Sequence, residues 1–315
     1  MTLVLVVGSS GFIGRPIVAA AGAAAGIDVV GAGRDRSGSG SSGLWLELDL
    51  LGPPAVLAGQ LERIAPDVVV NAAGSTTGGP DELRLANVDA TARLVAAIEA
   101  ALPDAVLVQI GSAAEYGHGQ VGRVTHETDP AEPVGPYGTT KLEATRLVIE
   151  EIAAGRLRGV VLRLFNTLGP SMPHGSLPGA ALARLVDAVG TGAREVRLGS
   201  LDPVRDFVDV RDVAAAVVSA CTVPRHPHPI LNVGSGTPHA VRDLVRLLAA
   251  RVGFGGRIDE SGTGSPRSAG VAWQVADIRL ARAQLGWSPR FSLGDSVDLM
   301  LEGDAGPAGA PASRP

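Results

Sequence analysis

Short, unbroken apolar runs alternate along this chain with longer stretches patterned at helical spacing. The runs at 3–7 (LVLVV), 27–32 (IDVVGA), 44–48 (LWLEL), 67–71 (DVVVN), 105–111 (AVLVQIG), 159–165 (GVVLRLF) and 229–233 (PILNV) predict strands. Most are apolar at consecutive rather than alternate positions, the pattern of parallel strands buried on both faces. Helices are predicted over 12–25, 54–64, 83–101, 137–154, 178–190, 210–221, 240–252 and 278–285. Within 137–154, Leu142, Val148, Ile149 and Ile152 mark one apolar stripe. Strand–helix alternation predicts an α/β fold built on a doubly wound parallel sheet. Beyond residue 166 the pattern breaks up among Gly and Pro, which predicts a smaller C-terminal lobe. The expected division is a first unit at 1–166 with a returning segment at about 202–233, and a lobe from 167–201 and 234–301. The Pro-, Gly- and Ala-rich stretch 302–315 reads as a disordered tail.

Composition narrows the possibilities. In 315 residues, 45% are hydrophobic and 19% charged, a globular balance. A formal net charge of −5 lacks a nucleic-acid footprint, so no nucleic-acid partner is expected. One cysteine, Cys221, excludes an internal disulfide and fits a reducing compartment. The start, MTLVLVVGSSGFIG, lacks the basic opening of a signal peptide, and no run reads as a membrane span; a cytoplasmic location is expected. Of 27 basic residues only Lys141 is a lysine, and the two tyrosines are Tyr116 and Tyr137. The four asparagines are Asn71, Asn87, Asn166 and Asn232.

The first strand ends in Gly8-Ser9-Ser10-Gly11-Phe12-Ile13-Gly14, a GxxGxxG run opening a helix. Gly8 permits the tight turn, and Gly11 lets backbone amides approach a pyrophosphate at the helix N-terminus. Gly14 lets the helix pack close to the sheet. This context predicts a Rossmann-like dinucleotide site, with Ser10, Phe12 and Ile13 in its lining. A site preferring NAD places an acid at the end of the second strand. Here that position is Gly33, followed by Arg34 and Arg36, a guanidinium pair suited to a 2′-phosphate. NADP(H) is therefore favoured, NAD(H) remains possible, and Asp35 is an alternative ribose partner. Asp49, with Leu50 beside it, is placed to accept from the adenine amino group. Asn71-Ala72-Ala73-Gly74 offers small residues beside the cofactor.

Tyr137 and Lys141 are spaced i, i+4 at the start of a predicted helix and so share one face. A free tyrosine is too weak an acid to act as a base at neutral pH, and a neighbouring ammonium stabilises its phenolate. Such a pair can move a proton to or from an alcohol oxygen, and Lys141 can also bind the nicotinamide ribose. Ser112, just after the fifth strand, lies at the carboxyl edge of the sheet and can polarise a carbonyl that Tyr137 protonates.

With these residues assembled, the chain resembles the extended short-chain dehydrogenase/reductases, also called the NAD-dependent epimerase/dehydratase family. The resemblance covers about residues 1–300. It rests on GSSGFIG, Asp49, NAAG, Asn87, SAAEYG, YGTTK, LRLFNTLGP (162–170), RDFVDVRDV (205–213), LNVGSG (231–236) and ADIRLARAQLGWSP (276–289). It implies that Ser112, Tyr137 and Lys141 form the catalytic triad and that Asn87 helps hold the local backbone. It further implies that the C-terminal lobe binds a nucleotide-diphosphate sugar, with Asn166 facing the sugar or its phosphate and Arg205 and Arg267 holding the diphosphate. Homodimerisation through the helices after the fourth and fifth strands is implied as well.

Dehydratases and decarboxylases of the family carry acids directly after the catalytic Ser or Thr. Here Ala113 and Ala114 stand there and Glu115 comes one position later, which disfavours elimination. IGSAAEYG, LGSLDPVRDFVDVRDV and FNTLGP look closest to GDP-4-keto-6-deoxymannose reductases, with Ala114 where those usually carry Glu. The leading expectation is an NADPH-dependent reductase of a nucleotide-linked 4-keto-6-deoxyhexose. The alternatives are a nucleotide-sugar epimerase holding NAD tightly and, more distantly, a non-catalytic dinucleotide sensor. Segments 171–200 and 254–270 are expected to set sugar choice. No metal is expected: His226-Pro-His228 reads as an exposed turn and Cys221 as a core residue. Asp209 and Asp212 read as caps of the helix beginning near 210.

Overall fold

The computed structural model describes residues 1–36, 43–173, 175–223, 225–262 and 270–304. Its strands are β1 (Thr2–Val7), β2 (Ile27–Gly33), β3 (Leu44–Glu47), β4 (Val68–Asn71), β5 (Val106–Ser112), β6 (Arg158–Leu164), β7 (Asn166–Leu168), β8 (Glu195–Arg197), β9 (Val204–Asp209), β10 (Ile230–Val233), β11 (Pro238–Ala240), β12 (Arg257–Asp259) and β13 (Trp273–Gln274). The helices are α1 (Gly14–Ala23), α2 (Pro54–Ile64), α3 (Pro80–Arg84), α4 (Ala90–Ala101), α5 (Pro136–Ala153), α6 (Leu177–Thr191), α7 (Val210–Thr222), α8 (Val241–Val252), α9 (Arg279–Leu285) and α10 (Leu293–Asp304).

The seven apolar runs of the sequence are the seven strands of one parallel sheet, ordered β10-β6-β5-β4-β1-β2-β3. Val4, Leu5 and Val6 of β1 are fully buried because a helical layer covers each face. Ile17 and Val18 of α1 join Val213 and Val217 of α7 on one face. Leu57 and Leu61 of α2, Leu94 and Ile98 of α4 and Val148 of α5 pack on the other. β1 pairs with β2 on one side and β4 on the other, so the strand order reverses there, and the carboxyl ends of the flanking strands open a crevice.

The remaining strands are short. β11, β9 and β13 form a second sheet that β7 joins through β9, and β12 pairs with β8. A third apolar cluster, including Leu182 and Leu185 of α6, Leu244 and Leu248 of α8 and Val297 of α10, packs there. Asp206 of β9 ties this region to the large sheet. Its buried carboxylate accepts from Ser235 N (2.6 Å), Ser235 Oγ (2.7 Å), Gly236 N (2.9 Å) and Ala276 N (3.1 Å). Burial raises Asp206 above the usual carboxylate range, and these four donors oppose that rise.

Three expectations need correction. The disordered tail was expected from 302, whereas α10 runs to Asp304; 305–315 lie outside the described residues. Asp209 caps α7 by accepting from Arg211 N at 2.8 Å, but Asp212 instead accepts from Arg290 N and Phe291 N and so anchors the chain before α10. His226 is half-buried rather than exposed, with Nδ1 3.0 Å from Gln284 Nε2. Cys221 is buried, which pushes its thiol up to about 12.

The C-cap of α2 is Ala65 at φ 48°, a left-handed conformation that disfavours a side chain. Ala65→Gly is expected to stabilise the protein by about 0.5–1 kcal/mol. A urea midpoint that falls in this variant would contradict that reading.

Candidate active site

The loop after β1 is shaped by contacts that exclude side chains. Gly8 sits at φ 78°, and a Cβ there would lie 2.6 Å from Ala73 N in the loop after β4. A Cβ on Gly14 would lie 2.1 Å from Gly8 O, so only glycine lets α1 begin this close to the strand. Gly11 is exposed, and no side chain caps α1. Arg15 N is bonded to Gly11 O at 3.1 Å and Ile17 N to Ile13 O at 3.4 Å, and Pro16 has no N–H, so the backbone offered to a dinucleotide pyrophosphate is the Phe12–Gly14 turn at the N-terminus of α1. Phe12 and Ile13 line the same cleft as Ala72, Ala73 and Asn87.

Arg34, Arg36 and Asp49 are exposed at the far end of that crevice; Arg36 Nη2 donates to Gly43 O at 3.3 Å and Asp49 Oδ1 accepts from Leu51 N at 3.0 Å. Leu50 is buried in the core with α2 and α4. A Cβ at Gly33 would lie 3.3 Å from the Trp45 ring, so packing as well as cofactor choice bears on the missing acid.

The cleft has a volume of about 690 Å³ and runs from Phe12 and Ile13 to residues of the small sheet. Ser112, Tyr137 and Lys141 all border it, as do Asn166 and Arg205. Ser112 ends β5. Its Oγ accepts from Ala114 N at 3.2 Å, which leaves its own O–H to donate into the cleft. Tyr137 stands in the first turn of α5, half-buried at the cleft wall. Lys141, one turn on, is buried and donates from Nζ to Ile110 O at 2.5 Å. Burial lowers Lys141 below the ordinary lysine range, and the Glu115 carboxylate opposes that. An ammonium has three donors, so two remain beyond Ile110.

The other tyrosine is separated from this chemistry. Tyr116 is buried with its hydroxyl donating to Asn232 Oδ1 at 2.7 Å, and burial pushes it up to about 12. Asn87 lies in a five-residue π-helical segment, Leu85–Asp89, within what the pattern predicted as one helix over 83–101. Such a bulge turns a side chain out of helical register. There Asn87 Oδ1 accepts from Ser75 N at 2.9 Å while Nδ2 donates to Ser75 O and to Thr140 Oγ1, joining the loop after β4 to α5.

Asn166 Nδ2 donates to Asp206 O at 3.0 Å. Arg205 is buried, donating from Nη1 to Val204 O (2.9 Å) and from Nη2 to Val271 O (2.6 Å). Among the described residues no carboxylate forms an ion pair with it, and burial lowers it to about 10. A buried guanidinium with neutral partners suits an incoming anion. Arg267 lies outside the described residues.

Met172, Ser176 and Ser200, and Glu260 and Gly262, bring the two expected specificity segments to the cleft wall. Gln274 also lines it, donating to Ala113 O at 2.8 Å. Nothing in a two-residue strand so far along the chain signalled that position.

Comparison with known proteins gives this geometry a context. The model of the family described as NAD dependent epimerase/dehydratase matches residues 4–234. The chain is 40% identical over 297 residues to a dTDP-6-deoxy-L-talose 4-dehydrogenase (NAD(P)(+)) of Kitasatospora kifunensis, covering 93% of each chain. It is 30% identical over 209 residues to a GDP-6-deoxy-D-mannose reductase of Pseudomonas aeruginosa, covering 64% of this chain and 67% of that one. The solved structure of Thermus thermophilus UDP-glucose 4-epimerase complexed with NAD matches with a TM-score of 0.83 at 23% identity, over 97% of this chain and 100% of that one.

Proposed function

The chain belongs to the NAD dependent epimerase/dehydratase family, and we propose that it is an oxidoreductase acting at C4 of a dTDP-linked 6-deoxyhexose, with NADP(H) as preferred cofactor. At the coarser level it is an NAD(P)-dependent enzyme that modifies nucleotide sugars. The observation that carries the finer reading is the meeting of Ser112, Tyr137, Lys141, Asn166 and Arg205 around one cleft beside the glycine loop. The 40% relative named for a 4-dehydrogenase of a dTDP-6-deoxyhexose supports both the position and the nucleotide. Ala113 and Ala114 occupy the two positions after Ser112 where an acid would drive elimination.

In the direction of reduction, the Gly8–Gly14 loop would hold the dinucleotide pyrophosphate and Arg34 its 2′-phosphate. A cofactor bound there would supply the hydride for C4 of the ketone. Ser112 donates a hydrogen bond to the C4 oxygen, so negative charge developing there meets a fixed dipole. Tyr137 delivers the proton to that oxygen, and oxidation reverses the same proton path. Lys141 stabilises the phenolate left on Tyr137. Arg205 and Asn166 hold the diphosphate and sugar, keeping C4 over the catalytic hydroxyls.

NADPH consumption by the purified protein with dTDP-, GDP- and UDP-linked 4-keto-6-deoxyhexoses, NADH alongside, tests this. Turnover is expected with the dTDP compound; inertness with all three in a protein that purifies with tightly held NAD would replace this reading with an epimerase. Arg34→Ala is expected to raise the apparent constant for NADPH about tenfold, the loss of one charge-assisted contact, and to leave that for NADH within about twofold. Equal effects on both cofactors would remove the case for NADP(H).

A further inference from the structure

Glu115 and Arg163 form a buried ion pair. Glu115 is 0% exposed and Arg163 3% exposed, and Arg163 Nε donates to Glu115 Oε2 at 2.7 Å. The second carboxylate oxygen, Oε1, accepts from the backbone N–H of Ser112 at 2.8 Å. This closes a reciprocal cap in which Ser112 Oγ accepts from Ala114 N. The space is tightly fitted: a Cβ on Gly111 would lie 2.9 Å from both Glu115 Oε1 and Val161 Cγ1. Arg163 also lies over the Tyr116 ring, 4.4 Å from its centroid.

A buried ion pair is a weak stabiliser, because desolvation offsets the attraction and an apolar pair of similar volume does as well. A glutamine would cap the Ser112 amide equally. Neither the fold nor the cap requires a carboxylate. The feature that does is the neighbour: Lys141, buried with Nζ on the carbonyl of Ile110 two residues before Ser112, has no ion-pair partner among the described residues.

We infer that Glu115 is a positioning residue of the active site, fixing the Ser112 turn through one oxygen while its buried charge balances the Lys141 ammonium. The inference rests on the reading of Ser112, Tyr137 and Lys141 as the acting groups, and it adds a fourth member on the side away from solvent. The charged and titratable groups that act on the pair or on Lys141 are Tyr116 from the same turn, Arg163 from β6, Lys141 from α5, and Glu127, which acts on Tyr116. Burial drives Lys141 toward its neutral form, and the Glu115 charge opposes this. Without Glu115, Arg163 is left as a second buried cation, and Lys141 loses its proton at lower pH.

Because Lys141 is the chain's one lysine, labelling with ¹³C-lysine gives one Cε resonance whose shift against pH reports its ionisation directly. The measurement needs no substrate, so it stands or falls separately from the sugar assignment. Glu115→Gln is expected to lower the half-ionisation pH of Lys141 by at least about one, a tenfold change in proton affinity. Arg163→Met, which removes the competing cation, is expected to move it upward. General loosening of the site would let water in and move both variants the same way. A Glu115→Gln protein that titrates as wild type overturns the inference. Should that variant fail to fold, an unchanged or lowered titration in Arg163→Met overturns it instead.

Discussion

Tyr137→Phe is expected to lower kcat for reduction by about 10²- to 10⁴-fold while the dissociation constant for NADPH stays within about twofold. The substitution keeps the ring and removes one hydroxyl from the first turn of α5, a half-buried position at the cleft wall. No other tyrosine can stand in. Tyr116 is committed to Asn232, lies 3% exposed and is pushed up to about 12. Nor does a second general acid stand on the same face of α5: Lys141, one turn on, is buried and donates to the carbonyl of Ile110. The residual rate would come from Ser112 polarisation and from orientation, which survive the change. NADPH oxidation under saturating sugar gives kcat, and quenching of tryptophan fluorescence by NADPH gives the binding constant. A variant within tenfold of wild type would move the proton donor elsewhere, whereas parallel losses in rate and cofactor affinity would mean that α5 had shifted.

The large sheet was legible because its strands carry their evidence locally. All but the edge strand β3 are apolar runs largely buried on both faces, and the glycine run, Ser112 and the Tyr137–Lys141 spacing all follow such runs or open their helices. The small sheet was not legible, for a physical reason visible in β9. Arg205 and Asp206 interrupt its apolar pattern, and both are buried only because distant segments meet them. Asp206 is satisfied by donors from residues 235, 236 and 276, and Arg205 by the carbonyl of Val271. Strands of two or three residues such as β7, β11 and β13 show no period at all. The π-helical turn at Asn87 was equally hidden, since 83–101 reads as one regular helix. Glu115 was seen in sequence only as an acid one position late; its burial against Arg163 depends on a residue 48 positions away. The candidate site was thus readable wherever it hangs on the large sheet, and unreadable where the cleft wall is built by chain crossings.

Arg205→Met is expected to weaken nucleotide-sugar binding about 100-fold and to raise the melting temperature of the ligand-free protein. The two effects have one origin. Arg205 is 5% exposed, its hydrogen bonds to Val204 and Val271 are to neutral carbonyls, and burial lowers it to about 10 from an ordinary value of 12.5. A cation held below its ordinary value weighs against the folded state at every pH below about 10, and that penalty fades as the pH rises through 10 toward the unfolded value. At neutral pH it is fully present, on the order of 3 kcal/mol, offset in part by the hydrogen bonds to Val204 and Val271. Methionine fills a similar volume without charge, so the penalty goes. On the proposed role of Arg205, what is lost is an anchor for the diphosphate, whose charge would offset the desolvation; two charge-assisted bonds at about 1.5 kcal/mol each would account for the affinity. NADPH affinity is expected to stay within about twofold, because the glycine loop stands at the opposite end of the cleft. Calorimetric titration with a dTDP-sugar, alongside thermal melts with and without it, separates the outcomes. Unchanged sugar affinity would remove Arg205 from the substrate site. A lower melting temperature would mean that its carbonyl contacts outweigh the cost of burying its charge.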